Sequence, residues 1–100
     1  MTYMIKNNNG GSTSKAIEFF KKYKNAFGDI VFAEMKSNPN QVIYNLTLVN
    51  SEGEEMNIGE DCSAGFMGTG PYGTYEILKI SGFDITKEFI ESNSSFKLTK

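Results

Sequence analysis

Histidine, arginine and tryptophan are absent from this sequence of 100 residues, and cysteine occurs once. The absence of histidine excludes His-dependent triads, Cys–His nucleophiles and histidine metal sites. The absence of arginine excludes bidentate clamping of phosphate or carboxylate groups by a guanidinium. Cys62 has no second cysteine to pair with, and we interpret it as a small buried hydrophobe. We therefore predict a protein with no catalytic residue, no metal site and no cofactor.

Long apolar runs are also missing. No segment approaches the roughly 18 apolar residues of a membrane helix, and Met1–Lys6 lacks the features of a signal peptide. A chain of 100 residues with 39% hydrophobic residues suits one domain with a modest core. The sequence therefore predicts a single cytoplasmic domain, residues 1–100, that does not bind membranes.

Charge is distributed unevenly along the chain. Residues 1–36 hold six lysines and three acidic residues, whereas residues 37–78 hold six acidic residues and no basic one. Residues 79–100 hold four lysines and three acidic residues. The acidic middle argues against a nucleic-acid partner and suits a basic protein surface, although a solvated hairpin turn is the simpler explanation. The candidate protein-interface residues are Glu52, Glu54, Glu55, Glu60 and Asp61.

The stretch Gly65–Gly73 contains four of the ten glycines and one of the two prolines. Glycines at this density indicate a tight turn with positive φ angles or close backbone approach. Pro71 suits the first residue of a helix, with Gly70 or Thr69 as the cap. The apolar spacing that follows predicts a short helix over about 71–81, ended by Gly82 with Phe83 folding back as its apolar partner.

This stretch is also the candidate ligand site. The free N–H groups of a helix start suit an anion, and residues 68–73 spell G-x-G-x-x-G. The dinucleotide fingerprint also requires a preceding strand and a βαβ unit, so a purely structural turn is the competing interpretation. The candidate ligand-binding residues are Gly65, Gly68, Thr69, Gly70, Tyr72 and Gly73. Acid–base chemistry has little support, because only one of the adjacent Glu60 and Asp61 can face a pocket beside Tyr72.

The segment Gly65–Pro71, followed by Ile77 and Leu78, resembles the G-Y-x-G-(S/T)-G-P…(I/L)-L segment of a small domain family without an assigned activity. That family occurs in bacteria and on their phages and mobile elements. The resemblance covers about a fifth of the chain and implies a small α+β domain. Phe66 stands where the family usually has tyrosine, and Met67 where it usually has glycine.

The rest of the pattern predicts an α+β fold: an antiparallel sheet of about four or five strands with one main helix, 14–27, and the short second helix. An apolar face on Ala16, Phe19, Phe20, Tyr23 and Phe27 marks the main helix, with Ser14 as its cap and Gly28 at its end. Period-two alternation predicts strands at 30–36 and 41–49, with a third near 55–58, a short first strand at 2–6 and a further edge strand within 59–64. Residues 84–92 fit a short helix or a strand paired with 96–99, and the alternation of the C-terminal tail favours strands.

Two functional hypotheses follow. In the first, the chain is a small non-enzymatic interaction protein, such as an accessory or inhibitor encoded by a phage or mobile element, that binds a host protein through its acidic face. In the second, it is a small module whose glycine-rich turn holds a nucleotide or another anion. The identity of the partner and the oligomeric state stay open at this point.

Overall fold

Five strands and three helices follow one another in this computed structural model, which describes residues 4–6, 12–38, 43–59 and 62–100. In chain order they are β1 (Met4–Lys6), α1 (Thr13–Phe27), β2 (Ile30–Asn38), β3 (Ile43–Asn50), β4 (Glu55–Gly59), α2 (Thr69–Ile80), α3 (Lys87–Ser92) and β5 (Phe96–Thr99). The fold is α+β, as predicted from the sequence.

The five strands form one sheet in the order β1-β4-β3-β2-β5. Strands β2, β3 and β4 are consecutive antiparallel neighbours, and β5 pairs antiparallel with the free side of β2. Strand β1 lies at the opposite edge and is parallel to β4. A parallel pair needs a long connection, and here the chain passes through α1, β2 and β3 before it reaches β4.

The helices cover one face of the sheet. Helix α1 packs against α2 and β4, and α2 packs against α3. Alternate residues of the central strands point into this layer and are almost fully buried: Ala33, Met35, Leu46, Leu48, Met56 and Ile58. The predicted aromatic face of α1 supplies the other side of the core, with Phe19, Phe20 and Phe27 buried and Tyr23 partly buried. The change from helical to strand spacing at Gly28 therefore marks a real boundary.

Two local details differ from the sequence prediction. Strict alternation along 30–36 places Val31 on the same face as Ala33 and Met35, but Val31 is 37% exposed. A register shift between Ile30 and Phe32 inserts an extra residue and changes the face to which Val31 belongs. Helix α1 also begins earlier than expected, because Ser12 rather than Ser14 is its cap; the Ser12 hydroxyl accepts a hydrogen bond from the N–H of Lys15.

Helix α2 also starts before its predicted first residue. It begins at Thr69 with Gly68 as its cap, so Pro71 is the third helical residue. Proline is tolerated there because the first N–H groups of a helix have no intrahelical acceptor. The far end is as predicted: Gly82 has a φ of 97°, and the N–H of the buried Phe83 donates to the carbonyl of Leu78.

The preference for two strands over residues 84–99 was wrong. Residues 87–92 form α3, and only 96–99 form a strand, which pairs with β2. Thr86 caps α3, because its hydroxyl accepts a hydrogen bond from the N–H of Phe89; the other capping candidate in the sequence, Asp84, precedes it by two residues. The helix buries Ile90 completely and brings Phe89 against Phe96, with ring centroids 5.3 Å apart. Residues 62–64 form no strand, and the rest of the expected edge strand beyond Gly59 lies outside the described residues.

Candidate functional site

The turn between β4 and α2 is held by glycines that pack directly against other parts of the chain. Gly65 has a φ of 89°, and a Cβ added to it would lie 2.7 Å from Cβ of Ser94 and 3.0 Å from its Cα. The N–H of Gly65 donates to the carbonyl of Ile90 at 2.9 Å. The start of the turn is therefore fixed against α3 and the residues that follow it.

The helical end of the turn is equally crowded. A Cβ on Gly70 would lie 2.0 Å from Oγ of Ser63, and one on Gly73 would lie 2.1 Å from Cγ2 of Thr13. The fully buried Thr74 donates from its hydroxyl to the carbonyl of Ser63 at 2.7 Å. These contacts bring α2 close to residues 62–64 and to the start of α1. Packing thus accounts for the glycines at 70 and 73 without a ligand.

Gly68 differs from these three. Its φ of 162° is extended backbone that any residue adopts, so the expected positive φ is not found. A Cβ there would lie 3.3 Å from the ring of Phe66, a side chain that is 45% exposed. Gly68 therefore has the weakest steric reason to be glycine in this turn.

Large apolar side chains project from this rigid backbone. Phe66 is 45% exposed, Met67 80% and Tyr72 46%, and Val31 is the one other large hydrophobic side chain exposed to this degree in the described part of the chain. Met67 precedes the helix cap and Tyr72 is the fourth helical residue, two positions that lie on the same side of a helix start. We call Phe66, Met67 and Tyr72 the exposed apolar cluster.

The exposed apolar cluster is supported from the sheet by Tyr44, whose ring centroid lies 6.0 Å from that of Phe66. Neither Tyr44, Phe66 nor Met67 was a candidate from the sequence. The available signal in the sequence was two large apolar residues, Phe66 and Met67, between glycines in a loop.

Two charged side chains, Glu76 and Lys87, lie close to Tyr72. The Glu76 carboxylate, one turn further along α2, raises the pKa of Tyr72 above its ordinary value through its charge and a hydrogen bond. Nζ of Lys87 lies 6.0 Å from the centre of the Tyr72 ring. The tyrosine hydroxyl thus faces a carboxylate, which would repel an incoming anion.

The start of α2 offers few donors to a ligand. Pro71 has no N–H, and the N–H of Tyr72 donates to the carbonyl of Gly68 at 3.1 Å. Thr69 and Gly70 supply the N–H groups that the first turn leaves without a helical acceptor. Of the six candidate ligand residues, Thr69 and Tyr72 are the two with exposed side chains, and Gly65, Gly70 and Gly73 are in close contact with other residues.

The predicted acidic face divides into separate parts. Glu52 is exposed in the turn between β3 and β4, and Glu54 and Glu55 follow it with partly buried side chains. Glu60 and Asp61 lie outside the described residues. The acidic turn and the exposed apolar cluster lie towards opposite ends of β3, where Tyr44 and Asn50 are six positions, or about 20 Å, apart along the strand.

Asn50, which sequence reasoning missed, organises the acidic turn. It is 3% exposed, and its amide nitrogen donates to the carbonyl of Phe27 and to Oε1 of Glu54, both at 2.8 Å. Its amide oxygen accepts from the N–H groups of Glu52 and Glu54. Glu54 therefore has a structural role, which leaves Glu52 and Glu55 as the better probes of docking through this turn.

Two depressions are lined by described residues outside the exposed apolar cluster. One of about 270 Å³ lies between the ends of α1 and α2, where Lys100 donates from Nζ to the carbonyl of Ser81. The other, an open groove of about 430 Å³, lies between the end of β2 and the start of β5. Within the ranges that the structure covers, no three Asp, Glu or Cys side chains converge as a metal site.

Comparisons of the chain with protein-family models, with curated proteins and with solved structures find no match. Among the helices built from the described residues, none is both long and apolar enough to cross a membrane.

Proposed function

We propose that this chain is a small non-enzymatic interaction protein that binds a protein partner through the exposed apolar cluster. The observation that carries the proposal is the exposure of Phe66, Met67 and Tyr72 on a backbone fixed by close glycine contacts. Large apolar side chains clustered at the surface mark interaction sites more often than isolated ones do. In this proposal the chain acts as an accessory or inhibitor encoded by a phage or mobile element, an origin in line with where the family that Gly65–Pro71 resembles occurs.

A rigid turn favours binding. Burial of a large apolar side chain contributes about 1.5–3 kcal/mol, and association loses part of this gain when loops must become ordered. The contacts of Gly65 with Ser94 and of Gly70 with Ser63 hold the turn before any partner arrives. The exposed apolar cluster can therefore enter a partner's surface with little loss of backbone entropy.

The shape and charge of this region indicate the kind of partner. Met67 is 80% exposed and stands out from the surface, so it fits a concave apolar surface on the partner. Glu76 lies beside Tyr72 at the exposed apolar cluster. We therefore expect a partner with an apolar cleft and a basic residue that can meet Glu76.

Parallel affinity capture from a bacterial lysate tests the proposal. The baits are the wild type, a Phe66→Ser/Met67→Ser variant and a Glu52→Lys/Glu55→Lys variant. We expect a protein that the wild type retains and the first variant loses, because that variant removes most of the apolar contact area. Thermal unfolding of each bait provides the control, since all four side chains lie at least partly at the surface.

The two variants distinguish the two surfaces. A partner lost by the Glu52/Glu55 variant and retained by the Phe66/Met67 variant would move the interface to the acidic turn. A partner retained equally by all three baits would contradict docking through either region. Purified partner and calorimetric titration would then give the affinity for each bait.

A further inference from the structure

Met67 differs from the buried methionines of the core. Its side chain is 80% exposed, whereas Met35 is 1% exposed and Met56 is completely buried. Oxidation of a thioether requires contact with the oxidant, so solvent exposure sets the susceptibility of each methionine. Met67 therefore presents a reactive sulfur on the surface assigned above to partner binding.

The reaction itself is simple. The Met67 thioether sulfur attacks one oxygen of hydrogen peroxide, the O–O bond breaks, and a new S–O bond forms. Sulfur loses two electrons, the second peroxide oxygen leaves as hydroxide, and the proton of the new S–OH group passes to that hydroxide to give water. The product, methionine sulfoxide, is polar and chiral, and reductases specific for methionine sulfoxide restore the thioether.

We propose that Met67 is a site of reversible oxidation by peroxide that converts the exposed apolar cluster from an apolar to a polar surface. This inference rests on the proposed function, because loss of apolar character controls binding only where the cluster binds. The most exposed side chain of the cluster carries the change, and its neighbours Phe66 and Tyr72 have no oxidisable sulfur. Since Met67 contributes little to the core, oxidation alters the surface and leaves the fold intact.

The first measurement maps the oxidation. Purified wild-type protein is treated with dilute hydrogen peroxide, quenched with free methionine, digested and analysed by mass spectrometry over time. We expect Met67 to be oxidised at least about tenfold faster than Met35 and Met56, because those two are shielded by the core. Oxidation of Met67 at the rate of the two core residues would overturn the proposal.

The second measurement uses a phenyl-agarose column as a defined apolar probe. Oxidised wild type should elute earlier than untreated wild type, with an unchanged melting temperature. A Met67→Leu variant, which keeps an apolar side chain of similar size, should not change its elution after peroxide treatment. A Met67→Gln variant should elute early without treatment. Equal elution of oxidised and untreated wild type would also overturn the proposal.

These outcomes are separate from those of the proposed function. Oxidation and column elution are measured on the purified protein alone, so a failure of affinity capture does not affect them. Once a partner is captured, oxidised wild type serves as a further bait. A partner that depends on Phe66 and Met67 but still binds the oxidised protein would overturn the regulation and leave the proposed function standing.

Discussion

The two turns that flank β4 in the chain are built in opposite ways. In the turn after β4, Gly65 and Gly70 have no side chain, and this allows other parts of the chain to pack directly against their backbone. The turn before β4 is held by the presence of one side chain, since the buried amide of Asn50 satisfies backbone and carboxylate groups around it. The first exposes apolar groups and the second exposes charge. A turn that is firmly held by its contacts can therefore present either apolar or charged groups to a partner.

Alanine substitution of a glycine in each turn should give the largest contrast. Gly65 and Gly53 have similar positive φ angles, 89° and 82°, but only Gly65 has atoms in the space that a Cβ would occupy. We expect Gly65→Ala to lower the free energy of unfolding by about 3 kcal/mol, from backbone strain and overpacking together. Gly53→Ala should cost about 1 kcal/mol from strain alone. Urea unfolding measures both, and equal losses would contradict the steric account of Gly65.

Removal of the Asn50 side chain should have the next largest effect. Asn50→Ala leaves the carbonyl of Phe27 and two backbone N–H groups without their partner, which we expect to cost about 2 kcal/mol of unfolding free energy. Glu54→Gln is the matched control, because its amide oxygen can accept the same hydrogen bond from Asn50. That control should cost less than about 0.5 kcal/mol. A large loss in the control would show that the charge of Glu54, rather than its acceptor, supports the turn.

The two turns should also affect partner binding differently. In surface plasmon resonance with a captured partner, Glu52→Lys/Glu55→Lys should slow association by about threefold at low salt and leave dissociation unchanged, since exposed charges steer the encounter. The effect should fade with added salt, because screening acts over about 10 Å at 0.1 M. Phe66→Ala should instead accelerate dissociation. An association rate that responds to neither salt nor charge reversal would remove the acidic turn from the mechanism.

The smallest effect is expected from small anions. We predict that a panel of nucleotides and inorganic phosphate leaves the melting temperature unchanged, because the hydroxyl of Tyr72 faces Glu76 and packing occupies the glycines. A ligand at a hundred times its dissociation constant would stabilise the fold by about 2.7 kcal/mol, which is easily seen in a domain of this size. A shift of several degrees with any compound would favour the ligand-binding alternative. Tyr72→Phe would then show whether the hydroxyl holds that ligand.

The parts of the fold that were predicted correctly depend on local periodicity. The apolar spacing of α1 and the alternation of β2 and β3 arise from which residues face the core, and both can be read within a dozen residues. Residues 84–92 could not be assigned in this way. Ile85, Phe89 and Ile90 are compatible with helical and with strand spacing. The helix is favoured by the cap at Thr86 and by the complete burial of Ile90.

The candidate site was harder to predict for the same reason. The glycine density of residues 65–73 indicated a shaped turn, but the atoms that require Gly73 and Gly70 to be glycine belong to Thr13 and Ser63. The role of Asn50 depends on the carbonyl of Phe27, 23 residues earlier in the chain. Contacts of this kind have no local pattern. The exposure of Phe66 and Met67 likewise has no local pattern, because it depends on which other parts of the chain pack against these side chains.

The hydrogen bond from Gly65 to Ile90 has a consequence for amide hydrogen exchange. It joins residues 25 positions apart, and Ser94 closes over the same glycine. The Gly65 amide can exchange with deuterated solvent only when α3 lifts away from the turn. The exchange rate of the Gly65 amide therefore reports the opening of the C-terminal segment. A partner that binds the turn should slow this exchange even where its own contacts are distant from the Gly65 amide.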